Sequence, residues 1–262
     1  MAEFLTLASH RLHYQVEGPE NAPVILFCNS LGTSFHMWDE QVAALKNDFK
    51  VVRYDRRGHG QSTTSSTPFT IADLGKDAIA LIDHLGLEKV HFCGLSIGGL
   101  VGQWLGVNAA DRLRSLTVCA TAAKIGTAEA WIERAALVRE QGLSPLLAGT
   151  EERWFTPEFV QNNPQVVKAI LAEFLQNSAE GYAQCCEALA TADFNADLAK
   201  ITVPTLCVYG DDDAVCPPSD LIHIAKNVQQ GQEIGVAGRH IFNLESVAPF
   251  NAALTHFISA NA

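Results

Sequence analysis

The sequence predicts an α/β fold, in which helices cover both faces of an eight-stranded, mostly parallel sheet. Apolar, strand-like runs alternate with helix-like segments along most of the chain, and 262 residues suit a single unit of this class. The predicted strands are 3–7, 11–16, 24–28, 50–54, 90–93, 113–119, 205–209 and 232–236. The helices predicted among them include 36–45, 71–85, 97–107, 219–228 and 249–258.

One stretch departs from this alternation and reads as entirely helical. Its predicted helices are 129–141, 157–161, 164–176 and 181–191, separated by Ser-Pro, Thr-Pro and Asn-Pro pairs. Because the stretch follows the sixth strand, we expect it to lie over the carboxyl end of the sheet as a cap that excludes water. The sequence therefore predicts a core formed by 1–124 and 199–262, with an all-helical cap from 125 to 198.

The pattern Gly-Leu-Ser-Ile-Gly at 94–98 carries the chemistry of the chain. A strand-like run precedes it and a helix-like segment follows it, and this context resembles the nucleophile elbow of α/β-hydrolases. Such a turn presents Ser96 as a nucleophile, with the N–H of Ile97 beside it at a helix N-terminus. The short pattern also occurs by chance in turns without chemistry, so the assignment depends on its partners.

A serine hydroxyl is a weak nucleophile at neutral pH and needs a base that an acid orients. In chains with this elbow the order is Ser, then Asp or Glu, then His. Of the three histidines after Ser96, His223 and His256 fall on predicted helices. His240 lies in a Gly-containing loop after the last predicted strand, at the carboxyl edge of the sheet. We predict that His240 is the base.

The acid is expected after the preceding strand, 205–209, which runs into Asp211, Asp212 and Asp213. Chemistry alone does not distinguish the three, because Asp is also a common turn residue. The end of the sixth strand, where some relatives of this fold carry the acid, reads Ala-Thr-Ala-Ala at 120–123 and has no carboxylate. The acid is therefore expected among the three aspartates.

The second oxyanion donor is expected in the loop after the third strand, Asn-Ser-Leu-Gly-Thr at 29–33. The donor is a backbone N–H, and we assign it to Leu31. Asn29 and Ser30 are candidates for contact with the substrate, although turn formation explains both residues equally well.

Composition argues against several classes of function. The formal net charge of −11 disfavours nucleic acid and anionic membrane surfaces as partners. No apolar run approaches the ~20 residues of a membrane span, and residues 1–5 lack the pattern of a signal peptide. Seven cysteines without zinc-type spacing predict reduced thiols in a cytoplasmic protein. No metal or cofactor site is apparent, and nothing indicates the oligomeric state.

Over essentially its full length the chain resembles α/β-hydrolases, and among them it is most similar to 3-oxoadipate enol-lactone hydrolases. The matching stretches are 29–33, 36–39, Tyr-Asp-x-Arg-Gly-His-Gly-x-Ser at 54–62, 91–96, 99–105, Glu-Arg-Trp-Phe-Thr-Pro at 152–157 and Gly-Tyr-x-x-Cys-Cys at 181–186. Hydrolases of this fold commonly place the acid three residues after the glycine that precedes it here, which favours Asp213. Ile97 stands where family members usually have Met.

The resemblance implies hydrolysis of 3-oxoadipate enol-lactone to 3-oxoadipate in the β-ketoadipate pathway of aromatic catabolism, without a cofactor. Ser96 would attack the lactone carbonyl as His240 takes its proton, and the N–H groups of Leu31 and Ile97 would hold the oxyanion. Asp213 would orient the imidazole. The scaffold also allows a general carboxylesterase, another lactonase, haloperoxidase-type activity, carbon–carbon bond hydrolysis and a non-catalytic receptor.

The implied small-molecule substrate carries a free carboxylate, whereas a net charge of −11 repels anions at long range. A cation is therefore expected in the pocket. The predicted cap offers Arg134, Arg139 and Arg153, and Arg134 shares a helix face with Trp131, three residues earlier. We predict that Trp131 and Arg134 contact the substrate; the alternative is that Arg134 is a solvated helix residue.

Overall fold

The computed structural model describes residues 3–262. Residues 1 and 2, where the predicted core begins and which belong to the segment tested for a signal peptide, lie outside the described residues. The strands are β1 Glu3–Thr6, β2 Arg11–Glu17, β3 Val24–Cys28, β4 Lys50–Tyr54, β5 Val90–Leu95, β6 Leu113–Cys119, β7 Thr205–Gly210 and β8 Gly231–Val236. They form one sheet in the order β1-β2-β4-β3-β5-β6-β7-β8.

The sheet confirms the predicted α/β-hydrolase architecture. The pairs β1–β2 and β2–β4 are antiparallel, and every other neighbouring pair is parallel. All eight predicted strands are present, and their ends differ from the prediction by at most two residues. The central strands β3 and β5 are buried along their whole length, which is typical of parallel strands covered on both faces.

The helices of residues 3–262 are α1 Asp39–Leu45, α2 Ile71–His84, α3 Ile97–Asn108, α4 Ala128–Gln141, α5 Leu147–Trp154, α6 Pro157–Asn162, α7 Pro164–Gln176, α8 Ala179–Thr191, α9 Pro218–Asn227, α10 Phe242–Glu245 and α11 Val247–Ala260. On the sheet, α3 packs against β5 and β6 and also against α2, while α9 packs against β7 and β8. Helix α1 packs against α11. Helices cover both faces, as predicted.

Two of the differences from the predicted helices have an identifiable physical cause. The predicted helix 36–45 is divided, because a 3₁₀ turn, Phe35–Trp38, precedes α1, and the Ser34 hydroxyl accepts a hydrogen bond from the N–H of His36 in that turn. The sequence pattern does not predict α5. That helix contains Gly149, which lowers helix propensity, and it packs against α7.

Between β6 and β7 the chain forms α4 to α8, and we call residues 125–198 the helical insertion. Helix α4 packs against α8, and α7 contacts both α5 and α6. The insertion is bound to the rest of the chain at several points: Asn177 Nδ2 donates to the Gly32 carbonyl at 2.8 Å, and the Thr156 N–H donates to Glu245 Oε2 at 3.0 Å. The division into a core and an independent cap at 125–198 stays a prediction.

Two further observations bear on the sequence-based predictions. Within residues 3–262, none of the helices has the length and apolar character that crossing a membrane requires. All seven cysteines are buried, and each is free rather than paired in a disulfide.

Candidate active site

Ser96 lies in the sharp turn between β5 and α3, at the carboxyl edge of the sheet. Its backbone has φ of 60° and ψ of −119°, a region that costs a non-glycine residue of order 1–3 kcal/mol. Hydrogen bonds on both sides stabilise the turn: the Ser96 N–H donates to the Cys119 carbonyl at 2.8 Å, and the Thr121 hydroxyl donates to the Ser96 carbonyl at 2.8 Å. The surrounding structure therefore holds the strained residue in place.

The two glycines of the motif permit the close approach that this turn needs. A Cβ atom on Gly94 would lie 2.1 Å from the Gly98 carbonyl oxygen, and one on Gly98 would lie 2.3 Å from the Cys28 carbonyl oxygen. These glycines bring α3 against the ends of β5 and β3, so the N-terminus of α3 meets the loop that follows β3.

The structure places His240 and Asp213 together. The Nδ1 atom of His240 lies 2.9 Å from Oδ2 of Asp213, and both side chains are almost completely buried. The other Asp213 oxygen accepts hydrogen bonds from the N–H groups of Val215 and Cys216, at 2.8 and 3.1 Å. The carboxylate is thus fixed by its own turn and aimed at the imidazole.

The neighbouring candidates for the acid have other partners. Asp211 accepts a hydrogen bond from the Gly238 N–H at 3.0 Å, and the exposed Asp212 forms an ion pair with Arg239 at 2.7 Å. The alternative histidines, His223 on α9 and His256 on α11, are both exposed. The sequence did not distinguish the three aspartates as candidates for the acid. In the structure, Asp213 is the one that lies beside His240.

Gly210, at the end of β7, lets the loop that carries His240 approach this strand. A Cβ atom there would lie 2.5 Å from the carbonyl oxygens of both Gly238 and Arg239. The glycine is visible in the sequence directly before the aspartates, but its role in packing depends on the loop after β8, which comes close only in the folded chain.

The loop 29–33 lies beside the serine turn. Leu31 contributes to the same cavity as Ser96, and the Leu31 N–H has no protein acceptor within residues 3–262. The N–H of Ile97 is the first of α3 and so has no partner inside its helix. Both predicted oxyanion donors are therefore free to bind a ligand.

The neighbouring residues of this loop differ in their surroundings. Asn29 is fully buried, and its side chain donates to the Thr33 carbonyl at 2.8 Å, as expected of a turn-forming residue. Ser30 lines the cavity. Contact with the substrate stays a prediction for both residues.

Ser96 and His240 both line one small cavity of about 40 Å³. Residues of the helical insertion form much of its wall: Ile125, Trp131, Arg134, Thr150, Arg153, Trp154, Tyr182 and Leu189. No hydrogen bond joins the Ser96 hydroxyl to His240 within residues 3–262, a common situation in unliganded sites, where such bonds tighten when substrate binds. The cavity thus lies between the carboxyl edge of the sheet and the insertion.

Two arginines of the insertion face this cavity. The Arg134 guanidinium lies 5.2 Å from the ring centroid of Trp131, and neither Arg134 nor Arg153 forms an ion pair with a carboxylate of residues 3–262. Burial and the charge of Arg134 lower the pKa of Arg153. Arg139 differs, because it is bound by Glu180 and Glu187 at 2.8 and 2.5 Å on an exposed surface.

Tyr182 lines the same cavity as Arg134 and Arg153. Burial raises the pKa of Tyr182 to about 12, and the nearby Arg134 opposes that rise. The phenol is therefore a neutral hydrogen-bond donor at physiological pH. In the sequence this tyrosine is visible only as part of the Gly-Tyr-x-x-Cys-Cys match, because its place beside Arg134 depends on the packing of α8 against α4.

His59, which lies in the loop after β4, has a structural position. Burial, followed by the charge of Arg56, lowers the pKa of His59 well below its usual value. Its Nε2 atom accepts a hydrogen bond from the Gly32 N–H at 2.9 Å, so the imidazole supports the loop 29–33.

Among the remaining clefts, one of about 460 Å³ beside His36 and Glu173 is larger than the cavity at Ser96, but it contains no comparable nucleophile and base.

Comparison with known proteins agrees with this geometry. A family model described as alpha/beta hydrolase fold matches residues 23–246. The chain is 42% identical over 250 residues to 3-oxoadipate enol-lactonase 2 of Acinetobacter baylyi, covering 95% of this chain and 94% of that protein. It is 41% identical over 249 residues to 3-oxoadipate enol-lactonase 1 of the same organism, covering 95% and 93%.

A solved structure is similar along the whole chain as well. The crystal structure of the enol-lactonase from Burkholderia xenovorans superposes with a TM-score of 0.96 at 37% identity, covering 98% of this chain and 100% of that one. The chain therefore belongs to the α/β-hydrolase family. It is an enzyme of the class that hydrolyses ester bonds, and the resemblance to 3-oxoadipate enol-lactonases predicted from the sequence is confirmed.

Proposed function

We propose that this enzyme hydrolyses 3-oxoadipate enol-lactone to 3-oxoadipate, through an acyl-enzyme on Ser96, during the breakdown of aromatic compounds. The observation that carries the proposal is the set of residues that line a single cavity. Ser96 and His240, which is paired with Asp213, border it on one side, and Arg134 and Arg153 border it on the other. An ester-cleaving centre that faces cations suits a substrate that is both a lactone and a carboxylate.

The first half of the reaction opens the ring. His240 Nε2 takes the hydroxyl proton of Ser96 while Oγ attacks the lactone carbonyl, and Asp213 stabilises the imidazolium that forms. The N–H groups of Leu31 and Ile97 donate to the developing oxyanion. The tetrahedral intermediate then expels the ring oxygen as an enol, which takes the proton from His240 and tautomerises to the ketone.

The second half releases the product. His240 removes a proton from water, the hydroxide attacks the acyl ester on Ser96, and the same two N–H groups hold the second oxyanion. Ser96 leaves with the proton that His240 returns. An enol is a better leaving group than an ordinary alkoxide, so a modest amount of leaving-group assistance is sufficient for ring opening.

Residues of the helical insertion bind the free carboxylate of the substrate. Arg134, held over Trp131, and Arg153 provide two positive charges in the cavity that Ser96 and His240 line. Charge-assisted hydrogen bonds to a carboxylate are stronger than neutral ones, and a local cation offsets the long-range repulsion from a net charge of −11. Trp131 supplies an apolar face beside the charge.

The test is turnover of freshly generated 3-oxoadipate enol-lactone, followed by the loss of its ultraviolet absorbance. Wild-type enzyme is compared with Ser96→Ala, and a neutral p-nitrophenyl ester serves as the second substrate. We expect fast lactone hydrolysis by the wild type and a loss of at least about 10⁴-fold in kcat for the variant. A fluorophosphonate should label the wild type at Ser96 and leave the variant unlabelled.

The alternative outcomes separate the parts of the proposal. Slow lactone turnover with brisk, Ser96-dependent cleavage of the neutral ester would assign a general carboxylesterase and retain the nucleophile. Undiminished lactone turnover by Ser96→Ala would reject the acyl-enzyme. We further propose that the enzyme acts in the cytoplasm on a small molecule, without nucleic acid as a partner; the seven buried thiols and the acidic net charge support this.

A further inference from the structure

Arg56 occupies an unusual position beneath the loop 29–33. Its side chain is 1% exposed, and its guanidinium donates hydrogen bonds to two successive carbonyls of the loop, those of Asn29 and Ser30, the second at 3.0 Å. No ion pair to Arg56 forms within residues 3–262, and its Nε atom has no partner. A buried cation without a carboxylate is costly, and here the two loop carbonyls are the groups that offset that cost.

The second of these carbonyls belongs to the peptide unit that presents the proposed oxyanion donor. The Ser30 carbonyl and the Leu31 N–H are the two ends of one planar peptide group, and they point in opposite directions because the peptide is trans. Arg56 holds the oxygen end, with help from the Thr33 hydroxyl at 2.9 Å. The N–H end is therefore fixed in direction and left free for a ligand.

The next two peptide units of the loop, Leu31–Gly32 and Gly32–Thr33, are held separately. The Gly32 N–H donates to His59 Nε2 at 2.9 Å, and the Gly32 carbonyl accepts a hydrogen bond from Asn177 at 2.8 Å. The charge of Arg56, after burial, contributes to lowering the pKa of His59, which keeps that imidazole neutral and able to accept. The same guanidinium thus supports the loop directly through two carbonyls and indirectly through His59.

The charge of Arg56 also affects how strongly the Leu31 N–H donates. A guanidinium bound to a carbonyl polarises the peptide, and hydrogen bonds in a chain strengthen one another, so the Leu31 N–H becomes a better donor. The positive charge is also buried beneath the loop that carries the proposed oxyanion donor, and within residues 3–262 it forms no ion pair with a carboxylate.

We propose that Arg56 is a positioning residue for catalysis, which orients and polarises the Ser30–Leu31 peptide so that the Leu31 N–H stabilises the oxyanion. This inference rests on the proposed function, because it assigns that N–H to the oxyanion hole. Arg56 does not touch the substrate. Its effect should therefore appear in the rate of the chemical step and not in the affinity for substrate.

The test compares Arg56→Gln, Arg56→Lys and Arg56→Ala in the full-length enzyme. For Arg56→Gln we expect kcat to fall about 10- to 100-fold with KM changed less than about threefold, since losing an entire oxyanion donor costs ~10²–10³ in kcat. The fall should be the same for the enol-lactone and for a neutral ester, because the oxyanion hole serves both. Arg56→Lys keeps the charge without the fork to two carbonyls, so its kcat should lie between those of Arg56→Gln and the wild type.

Two controls separate positioning from simple support of the fold. Guanidinium ion added at low concentration should restore part of kcat to Arg56→Ala and leave the wild type unchanged. The matched control is Arg57→Gln, which breaks the buried pair with Asp77, at 2.6 Å, in the same turn without touching the loop 29–33. It should lower Tm and leave the kcat of the folded enzyme within about twofold of wild type.

The outcomes are distinct for each idea. If Arg56 variants lose only thermal stability, with kcat unchanged below Tm, or if KM rises while kcat is unchanged, the positioning role is wrong even though Ser96→Ala is inactive. If an Arg56→Gln protein does not fold, the Arg56→Lys kcat and the guanidinium rescue decide the question. If Ser96→Ala remains active, the proposed function itself has failed and the Arg56 results have a different explanation.

Discussion

The two walls of the cavity around Ser96 differ in how their polar groups are satisfied. On the sheet side, the Ser96 backbone, Asp213 and the loop 29–33 are bound by other parts of the protein, so their positions are fixed before substrate arrives. On the insertion side, Arg134 and Arg153 face the same cavity without carboxylate partners in residues 3–262.

This difference corresponds to two physical tasks. Transition-state stabilisation needs donors and bases whose geometry is fixed in advance, because reorganisation during the reaction raises the barrier. Recognition of an anion needs charge that is not already neutralised by the protein. Changes on the sheet wall should therefore act mainly on kcat, and changes on the insertion wall should act mainly on KM for anionic substrates.

The largest expected effect is on the sheet wall. Asp213→Asn retains the shape of the side chain but favours the wrong imidazole tautomer, and we expect kcat to fall about 10⁴-fold. The matched control is Asp212→Asn, one residue earlier, whose carboxylate is exposed and pairs with Arg239. Its kcat should change by no more than a few-fold. Similar losses in the two variants, measured by lactone turnover, would contradict the assignment of Asp213.

A smaller effect is expected on the insertion wall. Hydrogen bonds to charged groups contribute roughly 1.5–3 kcal/mol, so Arg134→Gln should raise KM for the enol-lactone about 10- to 100-fold. Arg153→Gln should act in the same direction, and neither should alter KM for a neutral ester. Arg139→Gln is the control, because Arg139 is paired on the exposed surface. Equal changes with both substrates would remove the distinction between the walls.

The smallest effect on catalysis is expected at the opposite end of the strand that leads to Ser96. His91 is fully buried near the start of β5, and burial, followed by the charge of Arg114, lowers its pKa to about 4. The unfolded chain takes up the proton near pH 6.5 and the folded chain does not. Stability is therefore lost as the pH falls from 6.5 toward 4, by about 2 kcal/mol between pH 7 and 5.

The check is chemical denaturation of wild type and His91→Asn at several pH values, together with kcat at pH 7. We expect the variant to lose that part of the pH dependence of stability while its kcat stays within about twofold of wild type. An unchanged pH dependence in the variant would show that another group titrates. A large loss of kcat would show that His91, at the far end of β5 from Ser96, also affects the active site.

The sequence by itself determined the alternation of strands and helices, because apolar patterning along the chain is a local property. All eight strands were predictable in this way, as was the serine turn, since Gly94 and Gly98 are required wherever a strand and a helix approach so closely. The placing of His240 and an aspartate at the carboxyl edge also followed from chain order. Helix α5 was not predictable, because Gly149 weakens its pattern and packing against α7 stabilises it.

Only the tertiary structure decided which partners the polar groups have. Three consecutive aspartates look alike in the sequence, and the position of each relative to His240 and Arg239 separates them. Arg134 and Arg139 lie on one helix, yet the first faces the cavity and the second meets Glu180, which comes from α8. In the sequence, Arg56 stands at an unspecified position of the motif at 54–62. In the structure, it lies under the loop 29–33 and donates to two of its carbonyls. Hydrogen bonds and charge pairs join residues that are distant in the chain, so local pattern cannot specify them.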